Sequence, residues 1–286
     1  MRSVAIVPHL EKKEAVSLMR ELMEWFFERH VEIRLPAEDA SVLGHPELGF
    51  PEERVTEEVD FIVVLGGDGT ILRTVRLLKG RDVPILGVNL GRFGFLTEVE
   101  VSQLHFALSR ILDGKFCLEK RMMLECEVFS GNEVVSRQLA LNEVVLGGGG
   151  RQRLLEFDVY INGEPFSRYA SDGLIIATPT GSTAYSLSAG GPLVSPSTRL
   201  IILVPVCPHT LFGRSLVLTE TDEIRVSCPG SKNSAVMVSV DGVILFEKPF
   251  DFVRVSASSH TTNLIKVDGR NFYSLLKEKL RIWDSF

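Results

Sequence analysis

Phe61-Ile62-Val63-Val64-Leu65-Gly66-Gly67-Asp68-Gly69-Thr70-Ile71-Leu72-Arg73-Thr74-Val75-Arg76-Leu77-Leu78 is the stretch that decides the fold. Its first five residues are an apolar run of buried-strand length, and its last eight place apolar side chains at helical spacing. Between them stands a glycine-rich turn, Gly66-Gly67-Asp68-Gly69-Thr70. Where a strand passes through such a turn into a helix, backbone N–H groups converge at the helix start and attract an anion. Asp68 puts a carboxylate inside that turn. One reading makes it a helix cap, as Asp is at many N-termini. The other gives it chemistry to do, because a carboxylate beside an expected anion is an uncomfortable structural choice. A short glycine motif alone does not separate the two.

Outward from the turn, the first hundred residues alternate strand and helix. Val4 to Val7 reads as a strand, and Glu11 to His30 as a helix with Ala15, Leu18, Met19, Leu22, Trp25 and Phe26 on one stripe. Val31 to Leu35 is the next strand, the stretch with Pro36, Gly44, His45 and Pro51 a loop, and Val83 to Val88 a further strand. This βαβ succession implies a parallel sheet with its ligand at the carboxyl ends of the strands. After a helix around Ser102 to Leu112 the texture changes. Leu154 to Ile161 alternates apolar and polar and meets Asn162-Gly163, a hairpin signal. Short strands are expected at Gly173 to Thr178, Leu200 to Val204, Ser215 to Leu218 and Glu223 to Cys228. Others are expected at Ala235 to Val240, Phe252 to Ser256 and Leu264 to Val267. The fold class is therefore an α/β N-terminal domain followed by an all-β, sandwich-like C-terminal domain. Phe272 to Ile282 returns to helical spacing and is expected to pack back on the first domain. The corresponding division is 1–98, 99–263 and a returning segment 264–286.

The bulk numbers fit this and exclude other classes. A chain of 286 residues is long enough for two cores. Its 45% apolar and 24% charged content is that of a soluble globular protein. A net charge of −6 argues against a nucleic-acid partner, which calls for a basic face. A polyphosphate ligand would have to be held by local N–H groups, a few placed cations and a divalent metal. No run approaches the ~18 apolar residues of a membrane span. The first residues read as a strand and not as a signal peptide, so a cytoplasmic location is expected. Cys117, Cys126, Cys207 and Cys228 are scattered and read as free, buried thiols in a reducing cytoplasm.

Two further segments can carry chemistry. Thr178-Pro179-Thr180-Gly181-Ser182-Thr183-Ala184-Tyr185-Ser186-Leu187-Ser188-Ala189-Gly190-Gly191 follows Asp172-Gly173 and a strand. Ser182 can cap a short helix there, and Ser182, Tyr185 and Ser188 fall near one face. A ring and several hydroxyls suit a nucleotide base and ribose; the alternative is a hydroxyl-rich turn satisfying its own backbone. Asn142-Glu143 lies between two strand-like runs and can hold a ribose diol, or can be two solvent-facing residues at a strand end. Gly147 to Gly150 reads as a flexible hinge. There is no Gly-x-x-x-x-Gly-Lys-Ser/Thr loop, no Gly-x-Ser-x-Gly elbow and no His pair with metal-ligand spacing, and no metal is expected to be held by the chain itself. His209 reads as structural.

The turn Gly66 to Thr70, Gly91-Arg92-Phe93-Gly94-Phe95-Leu96-Thr97, Asn142-Glu143, Asp172-Gly173 and Thr178 to Gly191 occur in the order and approximate spacing of the NAD kinases, which the chain resembles from Val4 to near its end. The turn alone is shared with lipid kinases; the Thr178 to Gly191 run with Gly94-Phe95-Leu96 is more specific. The resemblance implies an NAD site in the cleft between the domains and transfer of the γ-phosphoryl of ATP to the 2′-hydroxyl of the adenosine ribose of NAD, with Mg²⁺ or Mn²⁺ bound mainly through ATP. It implies that Asp68 is the base, beside Gly69, and that Gly66, Gly67, Gly69 and Thr70 cradle phosphate. Arg73, one turn into the helix, can reach a phosphate. Asn142 and Glu143 would hold the adenosine ribose, and Thr183, Ala184, Tyr185, Ser186, Leu187 and Ser188 would surround the bases. Asp172 would reach the NAD of a neighbouring subunit, since the family is dimeric or tetrameric. Arg153 falls where relatives contact the nucleotide, or is simply solvated. Ala170 stands where many relatives carry Arg, Gly242 replaces a larger polar residue, and Val240-Asp241-Gly242-Val243 reads mainly as a hairpin turn. A lipid kinase and a non-catalytic dinucleotide sensor are the rivals. The first lacks an amphipathic membrane segment here, and the second has no need of Asp68.

Overall fold

The computed structural model describes residues 1–11, 13–91, 94–148, 154–209, 212–229, 236–267 and 271–280. The chain opens with β1 (Ser3–Pro8), α1 (Lys13–Phe27), β2 (Glu32–Pro36), α2 (Ala37–Leu43) and β3 (Gly49–Phe50). Next come β4 (Phe61–Gly66), α3 (Asp68–Leu78), β5 (Ile85–Asn89), β6 (Val99–Glu100) and α4 (Leu104–Leu112). The β-rich part follows with β7 (Cys117–Ser130), β8 (Glu133–Ala140), β9 (Glu143–Gly148), β10 (Leu155–Ile161), β11 (Glu164–Ser171) and β12 (Gly173–Ala177). It continues through α5 (Tyr185–Ser188), β13 (Leu200–Val206), β14 (Leu216–Thr219) and β15 (Ile224–Ser227). The last elements are β16 (Val236–Val240), β17 (Val243–Phe246), β18 (Phe252–Lys266) and α6 (Phe272–Leu280). They form two compact units, residues 1–120 with 262–286, and residues 121–261.

The first unit is a parallel sheet. β4 pairs with β1 on one side and with β5 on the other, β1 with β2, and the end of β18 with β5, all parallel. Parallel strands need covered faces, and β4 has all six residues buried. Leu18, Met19, Leu22 and Phe26 of α1 and Leu104, Ala107, Leu108 and Ile111 of α4 share one core with the strands. Because α4 packs there, the first unit extends past residue 98 to Lys120. The expected loop after Pro36 contains α2 and a 3₁₀ turn at Pro46–Leu48. Local sequence explains α2: Pro36 precedes it, Glu38 and Asp39 lie in its first turn, Gly44 closes it at φ 80°, and Ala40 and Leu43 are buried. α6 packs back on the first unit, where Phe272 meets Phe95 with ring centroids 6.4 Å apart; residues 268–270 and 281–286 of the expected returning segment lie outside the described residues.

The second unit is built of antiparallel strands. β14-β13-β12-β9-β16-β17 form one sheet, and β11-β10-β15 with the first part of β18 lie in another. Val144, Leu146, Leu174 and Ile176 of the first and Phe157, Val159, Val226 and Val253 of the second share one core, as in a sandwich. Asn162 and Gly163 make the β10–β11 turn at φ 52° and 84°. Three expectations are corrected. Of the four free thiols, Cys126 and Cys228 are buried but Cys117 and Cys207 are exposed. Phe252 to Ser256 and Leu264 to Lys266 belong to the single strand β18, because no Gly or Pro interrupts residues 257–263; Val267 follows its end. Gly147 and Gly148 are not a hinge but the end of β9, paired with Met237 and Val236; Gly149 and Gly150 lie outside the described residues.

Candidate active site

In the first unit, β4 delivers the chain into the turn at Gly66. A Cβ there would collide with the Thr70 side chain, so this glycine is dictated by packing. Gly67 and Gly69 differ. Neither has positive φ, and a Cβ at either would meet nothing within 4 Å. The fold does not require them, and what they leave is open space before the first turn of α3. Thr70 N and Ile71 N donate to Gly67 O at 3.0 and 3.2 Å, starting that helix.

Asp68 does not cap α3. Gly67 occupies the cap position and no side chain bonds there. The carboxylate reaches instead across to residues 94–96. Phe95 N donates to Oδ2 at 2.8 Å and Leu96 N to Oδ1 at 3.0 Å. Gly94 N donates to Thr97 Oγ1 at 3.1 Å, and any side chain at Gly94 would overlap the Asp68 carboxylate. Each carboxylate oxygen has about two acceptor sites, so both keep capacity for another donor. Arg73 sits one turn on, but its guanidinium lies 3.5 Å from Asp39 Oδ2. Burial pushes the Asp39 carboxyl up, with Arg73 pulling it back.

The second unit carries the other group. Asn142 and Glu143 are 9% and 7% exposed, which removes the reading of a solvated strand end. Asp241 holds the backbone there: its carboxylate accepts Leu141 N at 2.8 Å, Asn142 N at 2.8 Å and Glu143 N at 3.1 Å. Thr178 N donates to Asn142 O at 2.8 Å, and Thr178 Oγ1 to Leu141 O at 2.6 Å. Gly181 passes so close to the Asn142 carbonyl that no Cβ fits. Glu143 is pushed up to about 8 by burial and by the Asp241 charge, with the Tyr185 N–H opposing. Its Oε2 is buried without a partner among the described residues. A carboxyl of that kind can donate at neutral pH as well as accept, which suits a vicinal diol.

The hydroxyl-rich run divides. Ser182 Oγ donates to Pro179 O at 2.7 Å and accepts Val194 N at 3.1 Å, so it ties the loop and caps nothing. Thr183 Oγ1 donates to Thr180 O at 3.1 Å. Ser186 is fully buried and faces Gly191, where a Cβ would collide with its hydroxyl. Tyr185 and Ser188 are exposed, and Ala184 and Leu187 half-buried. Asp172 is exposed, with its N–H on Val206 O. Arg153 lies outside the described residues. Asp241 is the residue underread from sequence. It does turn the β16–β17 hairpin, at φ 48°, but it also fixes Asn142 and Glu143. Among the described residues no three His, Cys, Asp or Glu side chains form a metal cluster, and no helix is long and apolar enough to cross a membrane.

Both the α/β unit and the β unit match domains of a kinase family. Residues 4–116 match the ATP-NAD kinase N-terminal domain and residues 141–267 the ATP-NAD kinase C-terminal domain. The NAD kinase of Moorella thermoacetica is 42% identical over 98% of this chain and 90% of its own length. The yeast NADH kinase solved with NADH superposes with a TM-score of 0.91 at 27% identity, over 100% of this chain and 89% of that one. The Archaeoglobus fulgidus NAD kinase solved with ATP gives 0.75 at 26% identity, over 98% and 99%. The chain belongs to the ATP-NAD kinase family.

Proposed function

We propose that the protein transfers the γ-phosphoryl of ATP to the 2′-hydroxyl of the adenosine ribose of NAD, giving NADP, with Asp68 as general base. The observation that carries this is the Asp68 carboxylate, oriented by Phe95 N and Leu96 N beside a turn whose Gly67 and Gly69 face open space. That space lets phosphate oxygens approach backbone N–H groups at the start of an 11-residue helix. Phosphoryl transfer has a loose transition state, so positioning and charge stabilisation do most of the work. Asp68 accepts the proton of the attacking hydroxyl as the bond to phosphorus forms. Asn142 and Glu143 take the adenosine ribose, Glu143 through the Oε2 left without a partner. Tyr185 and Ser188 take a base, a reading supported by their exposure on the short helix; Thr183, Ala184, Ser186 and Leu187 shape that surface, and Asp172 serves an NAD held by a second subunit of a dimer or tetramer. Arg73 joins the phosphates only by leaving or sharing Asp39.

The resemblance implies Mg²⁺ or Mn²⁺. The residues present fit a cation that arrives on the triphosphate, since Mg²⁺ keeps waters and phosphate ligands and needs only one or two carboxylates. Bound there it would neutralise charge on the phosphate oxygens. The test incubates the protein with Mg²⁺, ATP and either NAD or sphingosine, and identifies the product by mass. Phosphorylated NAD supports the proposal; phosphorylated sphingosine, or no phosphorylated product, refutes it.

A further inference from the structure

α6 is a nine-residue helix with no buried residue, so it adds little to the core of the first unit. What it touches is specific. Phe272 meets the Phe95 ring at 6.4 Å between centroids, and Lys279 Nζ lies 5.3 Å from the centroid of the same ring. Glu278 lines a cavity with Asn89 and Gly91 on one side of the 94–97 segment and Glu100, Val101 and Ser102 on the other. Phe95 is the half-buried residue of that segment, whereas Gly94, Leu96 and Thr97 are buried. Its own N–H holds Asp68 Oδ2, and the next N–H holds Oδ1. Gly94 leaves no slack, because the carboxylate fills the place of its side chain.

We propose that α6 is a positioning element: Phe272 and Lys279 clamp the Phe95 ring and thereby fix the two N–H groups that aim the Asp68 carboxylate. The inference rests on the reading of Asp68 as base. A ring held from outside by a cation and by a second ring tilted 46° to it has a defined position, and a peptide carrying that ring has little freedom to rotate. Loss of the clamp leaves the segment anchored at Leu96 and Thr97 but free at Phe95. The carboxylate then samples orientations away from the hydroxyl. Phe272 and Lys279 touch no substrate and act only through Phe95.

The experiment compares wild type, Phe272→Ala, Phe272→Tyr and Lys279→Met for amide hydrogen exchange at Phe95 and Leu96, thermal stability, kcat and the KM for NAD, with Asp68→Asn as reference. Phe272→Ala is expected to speed exchange at both amides about tenfold and to lower kcat about tenfold, part of the ~10²-fold that a 1 Å misplacement costs. The KM for NAD should stay within about twofold, and Phe272→Tyr should restore kcat. Lys279→Met, which keeps the stem of an exposed side chain, gives the same pattern more weakly and serves if Phe272→Ala does not fold. Unchanged exchange and kcat in both folded variants overturns the proposal. Faster exchange with normal kcat overturns it as well if Asp68→Asn abolishes turnover; if Asp68→Asn also turns over normally, it is the role of Asp68 that has failed.

Discussion

Replacing Glu143 by glutamine keeps the shape of the side chain and removes its charge. In the wild-type fold the carboxyl is pushed from 4.5 up to about 8, first by burial and then by the neighbouring Asp241, against the Tyr185 N–H. A folded-state value above the unfolded one means that the folded chain binds this proton more tightly. The group therefore costs nothing below about pH 4.5, costs progressively more as the pH rises towards 8, and costs most above it. At ~1.36 kcal/mol per unit the ceiling is about 5 kcal/mol, and partial relaxation around the charge brings the expected effect to about 2–4 kcal/mol. Urea unfolding of wild type and Glu143→Gln at about pH 5.5, 7 and 8.5 measures it. The wild type should lose about 1–3 kcal/mol relative to the variant between the first and last of these conditions, because part of the cost is already present at about pH 5.5. Parallel stability curves for the two proteins would refute the reasoning, because they would mean that the Glu143 carboxyl ionises in the fold as freely as in the unfolded chain.

Other perturbations separate structure from chemistry. Asp241→Asn keeps one acceptor oxygen for the three N–H groups of residues 141–143, so thermal unfolding should show a loss of about 2–4 kcal/mol. NMR titration of that variant should also show the Glu143 carboxyl moving down, as its second-largest upward influence is gone. Gly94→Ala forces the Asp68 carboxylate off Phe95 N and Leu96 N, and kcat should fall by ~10² or more. Gly69→Ala meets open space inside a helix, so melting should rise or hold, by up to about 1 kcal/mol. Its kcat/KM for ATP should nevertheless drop about tenfold if phosphate approaches there; unchanged kinetics would show that the open face is not used.

What could be read from the chain depended on how far apart the deciding residues are. The β4–turn–α3 passage is contiguous, so strand, glycines and helix announce one another. The Asn162-Gly163 hairpin is equally local, and both residues adopt the positive φ their types favour. α2 was hidden because Pro36 and Gly44, which bound it, are also loop residues. β18 reads in sequence as two strands because residues 258–263 are polar without being breakers. The partners of Asp68 lie 27 and 28 residues away, and those of Asp241 98 to 100 residues away. No spacing rule connects such positions; sheet register does. β16 pairs with β9 so that the hairpin turn at Asp241 meets the start of the strand bearing Glu143. Likewise, only the packed fold shows that Ser182 and Thr183 spend their hydroxyls on the backbone while Tyr185 and Ser188 do not.

Catalysis as proposed depends on the Asp68 carboxylate taking the proton from the acceptor hydroxyl. Asp68→Asn keeps an oxygen and the side-chain shape but removes the base, and turnover of NAD with ATP and Mg²⁺, measured beside NAD binding by calorimetry, tests it most directly. With Asp68 as base, kcat falls by ~10²–10⁴ in this variant while the Kd for NAD changes only a few-fold. A folded Asp68→Asn protein that makes NADP at near the wild-type rate would contradict it.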